Sequence, residues 1–316
     1  MTFIKQIPIP IAGLILAIVS LGNYIIQQNA VVAGSILVWI AIFMMILLLL
    51  RVFIDFKAIQ HDFKNPMIAS VSPTITMALF GIAVYLHSFS HLVIFSNILW
   101  YVSILLHLAF ITYFTFNFVI KRDLTIQSLY PSWFITYIGI GLIAVTSSTF
   151  NVILGDVFLI LAMINYVILI PLMLYRIFKT SYNEKPALPL LTILTAPTSL
   201  CLAGYITVVE NPNPIFVAIL LVMSSILYLV ALYFLPNIWR LPFYPSFAAF
   251  SFPLVITVVA ATLANHILHI PYFNLIIVIE FIIAASVTFT VFMRYLIFLI
   301  HSTKEEKIPL TEVKSN

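Results

Sequence analysis

Residues 245–256 read Pro-Ser-Phe-Ala-Ala-Phe-Ser-Phe-Pro-Leu-Val-Ile and begin an apolar run that extends to about Ala264. At about 1.5 Å per residue, a helix of this length crosses a bilayer. Pro253 cannot donate a hydrogen bond to the carbonyl of Ala249, so we expect the helix to bend there and to leave a backbone acceptor free. In lipid, such an acceptor is tolerated only where it faces protein or a water-filled cavity. The stretch therefore predicts a bent helix inside a membrane protein.

One face of this predicted helix has the pattern of a narrow pore. At about 100° per residue, Ala249, Phe252, Ile256 and Ala260 fall within roughly 80° of arc, so small side chains surround a single large ring. An apolar ring at such a place blocks a conduit or keeps it free of water. We predict that these residues line a pore and that Phe252 is its gate. The alternative is that Phe252 packs or faces lipid, as most of the 27 phenylalanines must.

The composition is that of a helical membrane protein. The chain of 316 residues is 63% hydrophobic and 8% charged, its mean hydropathy is +1.18, and long apolar runs recur along its whole length. The single cysteine, Cys201, excludes an intramolecular disulfide, and no Cys/His spacing suggests a zinc site. The motifs of hydrolases, zinc proteases and phosphate-binding loops are absent from the sequence. We therefore predict no enzymatic activity, no cofactor, no metal and no nucleic-acid partner.

Ten membrane spans are predicted, at about residues 8–28, 30–51, 66–87, 91–120, 131–149, 152–177, 188–209, 213–236, 246–265 and 271–300. All 14 Lys and Arg fall at the same end of these spans, and the loops at the opposite end contain none. By the positive-inside rule, both termini are cytoplasmic in a multi-pass protein of the cell membrane, which requires an even number of spans. We interpret residues 1–301 as the transmembrane domain and 302–316 as a short polar cytoplasmic tail. The segment after Lys5 lacks a small-x-small cleavage site, so it is not interpreted as a signal peptide.

A repeat of roughly 55–65 residues relates the odd-numbered spans, each of which begins near a proline. Those prolines are Pro8, Pro66, Pro131, Pro189 and Pro245. Three odd spans contain a second proline that is expected to kink the helix, at Pro73, Pro197 and Pro253. The even spans are rich in bulky apolar residues and contain one comparable proline, Pro171. The fold class is therefore predicted as all-α: five helical hairpins, with an inner ring of five kinked helices around a pore and an outer ring facing lipid.

Five motifs, in order and at matching spacing, carry a resemblance to a known family. They are Ile7-Pro8-Ile9-Pro10-Ile11-Ala12-Gly13-Leu14, Asn65-Pro66 with Ser72-Pro73-Thr74, Tyr130-Pro131-Ser132-Trp133-Phe134, Ala196-Pro197-Thr198-Ser199-Leu200-Cys201-Leu202-Ala203-Gly204-Tyr205, and Tyr244-Pro245-Ser246-Phe247 through Phe252-Pro253. With them the chain resembles the tellurite-resistance/dicarboxylate transporter family, which includes TehA-like proteins and the guard-cell slow-type anion channel. The resemblance implies a homotrimer with one pore per protomer, conduction of small inorganic or organic anions, and a pore-occluding phenylalanine on the ninth helix, which matches Phe252.

Glu280 is the only carboxylate predicted deep inside a span. An ionised acid near the bilayer centre costs roughly 2.5–3.5 kcal/mol on insertion scales, so the neutral form is favoured there. Two interpretations remain open: a proton-linked group in a transporter, or a neutral acid that hydrogen-bonds between helices.

The remaining polar residues are few. At the uncharged end lie His87, His91, His266 and His269, which either bind metal, or sense external pH, or, as we favour, are interfacial polar residues. His107 is expected to be a hydrogen-bonding partner inside a span. No Lys or Arg falls inside an odd span, so anion preference is expected to come from helix-end dipoles and from hydroxyls. The hydroxyls singled out are those of Ser72, Thr74, Thr198 and Ser199.

Three hypotheses follow. The first is a pore for small anions gated by Phe252. The second is a proton-coupled transporter of dicarboxylates, other organic acids or sulfite, in which Glu280 takes part. The third is a resistance factor that exports tellurite or cationic toxicants, although the sequence offers no acidic cavity for cations.

Overall fold

The computed structural model describes residues 2–122, 125–179 and 185–305, and the regular secondary structure in these ranges is helical. Residues 306–316, most of the predicted polar tail, lie outside the described residues, and the last helix continues into the start of that tail. The principal helices are α1 Ile11–Gln27, α2 Val31–Ile54, α3 Thr74–His87, α4 Val93–Phe114, α5 Gly141–Thr146, α6 Val152–Lys179, α7 Ala196–Val208, α8 Pro214–Trp239, α9 Ser251–Leu268 and α10 Phe273–Glu305.

Eight helical segments in the described ranges are long and apolar enough to cross a membrane, and α1 is a shorter apolar helix of 17 residues. The eight segments are Val31–Ile54, Pro66–His87, Ser90–Ile120, Val152–Lys179, Lys185–Val208, Pro214–Trp239, Pro245–Leu268 and Phe273–His301. The chain is therefore an all-α, multi-pass membrane protein.

The predicted fifth span, 131–149, is not one continuous helix. It consists of the helix Trp133–Ile138, then α5 of six residues, then a 3₁₀ turn at Ser147–Thr149. Gly139 and Gly141 flank the interruption, and glycine is the poorest helix former after proline. The prediction of ten equivalent spans overlooked this cost because it relied on apolar length.

The predicted kinks are junctions between two helical segments. The helix Pro66–Val71 precedes α3, and 3₁₀ helices at Lys185–Thr195 and Pro245–Phe250 precede α7 and α9. Pro73 immediately precedes α3, whereas Pro197 and Pro253 lie in the first turns of α7 and α9. The first N–H groups of a helix have no partner within it, so proline is tolerated at these positions. Each proline therefore lies at or next to the junction between two helical segments.

Burial alternates along the chain. Within the best apolar window of each segment, 78–94% of the residues are buried for the segments that contain α3, α7 and α9, but only 28–39% for those that contain α2, α4, α6, α8 and α10. Helix α8 continues through Pro236, at which the predicted eighth span ended. The less buried helices expose large apolar side chains, as a surface in contact with lipid requires.

The buried helices pack in a cycle. Helix α1 contacts α3 and α9, α7 contacts α9 and α5, and α3 contacts α5. Each of these helices also packs against the helix that follows it in the chain. Helices α1 and α2 approach each other closely, since a Cβ added at Gly22 would lie 2.8 Å from the carbonyl oxygen of Gly34. The cycle places the ends of five apolar segments next to one another.

Candidate functional site

A narrow cavity of about 40 Å³ lies where the five buried segments meet. Every one of these segments contributes to its wall, and Thr74 is the only residue with a polar side chain among those that line it. The lining residues are Gly13, Leu16, Thr74, Met77, Phe134, Ile135, Ile138, Gly139, Ile193, Ala196, Pro197, Leu200, Ala248, Ala249, Phe252 and Pro253.

A wide cavity of about 330 Å³ adjoins the narrow one. Five residues line both: Gly13, Thr74, Ile135, Ala248 and Ala249. The wide cavity also reaches Pro8 and Pro245, which begin two of the buried segments, so it lies at the end of the molecule that carries the Lys and Arg residues. Together the two cavities form a funnel that narrows from this basic end towards the interior.

The structure brings some of the predicted pore residues together and separates others. Phe252, Pro197, Ala249 and Pro253 all line the narrow cavity. Phe252 is 6% exposed and is the second residue of α9. The other three predicted residues are buried but do not line either cavity; they are Pro73, Ile256 and Ala260. Of the predicted pore face, only the part around the start of α9, residues 249–253, lines a cavity.

The helices that form the narrow cavity present their first turns to it. Gly13 is the third residue of α1, Thr74 the first of α3, Ala196 the first of α7 and Phe252 the second of α9. The N-terminus of a helix carries a positive partial charge, which stabilises anions. Four helix N-termini therefore surround a cavity whose lining includes no charged side chain.

The backbone acceptor that Pro253 leaves free is bonded by another segment. The hydroxyl of Thr192 lies 2.9 Å from the carbonyl oxygen of Ala249 and 2.8 Å from that of Pro189, and it donates its one hydrogen between the two. Beside it, the hydroxyl of Ser251 donates to the carbonyl of Ala248 at 2.6 Å. A neighbouring junction is similar, since the Thr136 hydroxyl donates to the Ser70 carbonyl. The acceptor thus faces protein, one of the two alternatives that the sequence allowed.

The comparison with protein families decides the family. Residues 7–296 match the family model of the voltage-dependent anion channel, SLAC1. The chain belongs to this family. The predicted resemblance is thereby confirmed, and the family is one of anion channels and transporters, not of enzymes. A search of the curated proteins gave no match.

This anion channel family member has a second ring in the narrow cavity that the sequence analysis missed. Phe134 lies in the short helix Trp133–Ile138, is 2% exposed and lines the cavity together with Phe252. No periodic pattern pointed to it, because the segment is interrupted and the ring's direction depends on how that short helix packs. Its position in the Tyr130–Phe134 motif was the only signal available.

Most of the predicted anion-binding hydroxyls do not face the cavities. Ser72 donates to the carbonyl of Ile68, Thr198 pairs with Tyr166 at 2.8 Å, and Ser199 lies 2.7 Å from the Ser224 hydroxyl. Only Thr74 lines the cavities, and its hydroxyl donates to the Val71 carbonyl at 2.6 Å. These hydroxyls satisfy backbone groups and join helices, which leaves helix ends as the main source of positive potential.

An ion pair that the sequence analysis also missed lies in the wall of the wide cavity. Arg51 donates to Asp62 at 2.8 Å and also to the carbonyl of Ile7. The arginine is 7% exposed, although its position at the end of an apolar run suggested an exposed loop residue. Within the part of the chain that the structure describes, no residue other than Arg51 and Asp62 brings a charged side chain to this cavity lining.

Glu280 and the histidines lie away from the funnel. Glu280 is 6% exposed on α10, lines neither cavity, and its Oε2 has no hydrogen-bond partner. His107 is confirmed as a hydrogen-bonding partner, with its Nδ1 2.7 Å from the hydroxyl of Thr76. His87 packs edge-on against Phe150. Within the described ranges, no group of three or more His, Cys, Asp or Glu side chains lies together as a metal site would require.

Proposed function

We propose that this member of the voltage-dependent anion channel family conducts small anions through the funnel and that Phe252 closes its narrow part. The observation that carries the proposal is the convergence of four helix N-termini on an apolar cavity that contains the Phe252 ring. Positive helix ends attract an anion without holding it as tightly as a fixed cation would, which suits rapid passage.

The volume of the narrow cavity supports a closed state. About 40 Å³ has room for only a few water molecules, which is too little for an anion with its hydration shell. The rings of Phe252 and Phe134 form part of the wall that makes this cavity narrow. Conduction then requires that a ring move away, so removal of the Phe252 ring should open the path permanently.

The proposal is tested by reconstituting Phe252→Ala in planar bilayers under a chloride gradient. We expect large currents that reverse near the chloride equilibrium potential, whereas the unsubstituted protein stays nearly closed. Phe250→Ala is the matched control, because Phe250 is equally buried and packs against Trp239 without lining the cavity. Currents that reverse near the cation potential, or silence in Phe252→Ala, would refute the anion pore.

A proton-coupled transporter of dicarboxylates, other organic acids or sulfite is the second candidate. The unpaired Oε2 of the buried Glu280 favours it, since a buried acid without a partner is a site for a proton. Its distance from the funnel favours a structural role instead. Anion uptake into proteoliposomes that requires a pH gradient and is lost in Glu280→Gln would favour the transporter.

Export of cationic toxicants has less support. A pathway for cations requires acidic side chains along it. The narrow cavity has none, and Asp62, the one acid of the wide cavity lining, is paired with Arg51. Tellurite, an oxyanion, remains compatible with the anion pathway.

The finer architecture is also part of the proposal. We infer five helical hairpins that make ten membrane crossings in the cell membrane, with both termini cytoplasmic, and a homotrimer with one funnel per protomer. The alternating burial and the cycle of contacts among α1, α3, α5, α7 and α9 support the hairpins. The trimer rests on the family resemblance, and native mass measurement in lipid nanodiscs tests it directly.

A further inference from the structure

We propose that Arg51 is an anion-binding residue in the wall of the wide cavity and that Asp62 competes with the anion for it. The ligand is a small monovalent anion, such as a halide or nitrate, on its way to the narrow cavity. This inference rests on the proposed function and adds to it a specific recognition residue and a regulator of its charge.

The first argument is the geometry of the pair. Arg51 lies in the last turn of α2, and Asp62 ends the short helix Phe56–Asp62. The Nη2 of Arg51 donates to Oδ2 of Asp62 at 2.8 Å, and Nη1 donates to the Ile7 carbonyl at the start of the first buried segment. The guanidinium is thereby held in place beside the cavity that both side chains line.

The second argument is the unused hydrogen-bonding capacity of Arg51. A guanidinium has five N–H donors, and no deprotonation relieves its charge. The structure gives Arg51 two acceptors, one for Nη1 and one for Nη2, so each of these atoms keeps a second N–H for an anion, whereas the Nε is buried and has no acceptor. Its side chain is 9% exposed, compared with 26% for Asp62. A mostly buried arginine with donors to spare beside a cavity is suited to bind an anion.

The third argument is the charge balance of the wide cavity. Among the residues that the structure describes, Arg51 and Asp62 are the charged ones in its lining, and their opposite charges balance. An anion that enters gains the attraction of Arg51 only to the extent that it displaces Asp62. Asp62 therefore weakens anion binding and prevents the site from trapping the ion, which a conduction pathway requires.

The test compares conductance in the open background of Phe252→Ala. Addition of Asp62→Asn removes the competing charge but keeps the size of the side chain. At low ionic strength, one uncompensated charge near the path should raise chloride conductance roughly threefold. The gain should disappear near 1 M salt, where the screening length falls to about 3 Å. Asp55→Asn is the matched control, because Asp55 precedes the same short helix without lining the cavity.

Equal conductance in the Asp62→Asn and Asp55→Asn channels would overturn the inference while leaving the pore intact. A second measurement does not depend on conduction. In detergent, replacement of gluconate by nitrate at constant ionic strength should raise the melting temperature more for Asp62→Asn than for the unsubstituted protein, and not at all for Arg51→Gln. If Phe252→Ala carries no current, the proposed function fails, and this melting comparison alone decides whether Arg51 binds anions.

Discussion

At the scale of single residues, the narrow cavity is lined by two aromatic rings that come from distant parts of the chain. Phe252 was predictable, because the helical periodicity of residues 249–260 places it among small residues. Phe134 was not, because the helix that carries it has only six residues and its direction is set by packing. The same holds for Arg51, whose burial depends on the Ile7 carbonyl and on Asp62.

We predict that Phe134→Ala raises chloride conductance above that of the unsubstituted protein but less than Phe252→Ala does, because the ring of Phe252, the proposed gate, stays in place. The doubly substituted channel should conduct more than either single variant. Bilayer recordings under one set of ionic conditions measure this. Phe114→Ala is the control, since Phe114 is fully buried against Trp133 outside the cavity lining. A Phe134→Ala protein as closed as its parent would assign the occlusion to Phe252 alone.

At the scale of helices, hydroxyl groups stabilise the proline-containing junctions, because they donate to backbone carbonyls that have no N–H partner within the helix. The prolines mark the junctions in the sequence. The sequence does not show which hydroxyl bonds each free carbonyl. Thr192 and Ala249 are far apart in the chain, and only the contact between the 3₁₀ helices before α7 and α9 brings them together.

We predict that Thr192→Val destabilises the protein by about 1–3 kcal/mol, because the partly buried Ala249 carbonyl would lose this partner. Thermal unfolding of the purified protein in detergent measures the change. Thr207→Val is the control, since that hydroxyl donates only along its own helix, to the Ala203 carbonyl at 2.8 Å. Equal stability of the two variants would mean that water replaces Thr192 at the junction.

Close packing of α1 on α2 leads to another prediction at this scale. A Cβ at Gly22 would lie 2.8 Å from both the Gly34 carbonyl oxygen and a methyl of Val38. We expect Gly22→Ala to destabilise the protein by about 1–3 kcal/mol, because the helices would have to separate. A Cβ at Gly13, on the same helix, would make an ordinary contact 3.4 Å from the Cβ of Ala248. The Gly13→Ala variant should therefore unfold at nearly the temperature of the unsubstituted protein. A similar decrease in unfolding temperature in both variants would contradict this packing.

At the scale of the whole molecule, the distribution of Lys and Arg predicts the orientation in the membrane. We expect Lys57→Cys to be protected from a membrane-impermeant maleimide in intact cells and Gln28→Cys to react, because positive charge stays on the cytoplasmic side. The native Cys201 is fully buried and provides the unreactive background. Labelling of Lys57→Cys but not of Gln28→Cys would contradict the proposed orientation and would place the wide end of the funnel outside the cell.

The sequence by itself determined that this is a helical membrane protein, which segments are apolar enough to enter the bilayer, where prolines interrupt them and which family the chain belongs to. These properties are local, since they depend on the hydropathy and the backbone chemistry of neighbouring residues. The tertiary structure alone decided that Phe134 shares the narrow cavity with Phe252, that the Thr192 hydroxyl reaches the Ala249 carbonyl, and that Arg51 is buried against Asp62. Each of these depends on contacts between residues that only packing brings together, and periodicity along one segment carries no information about them.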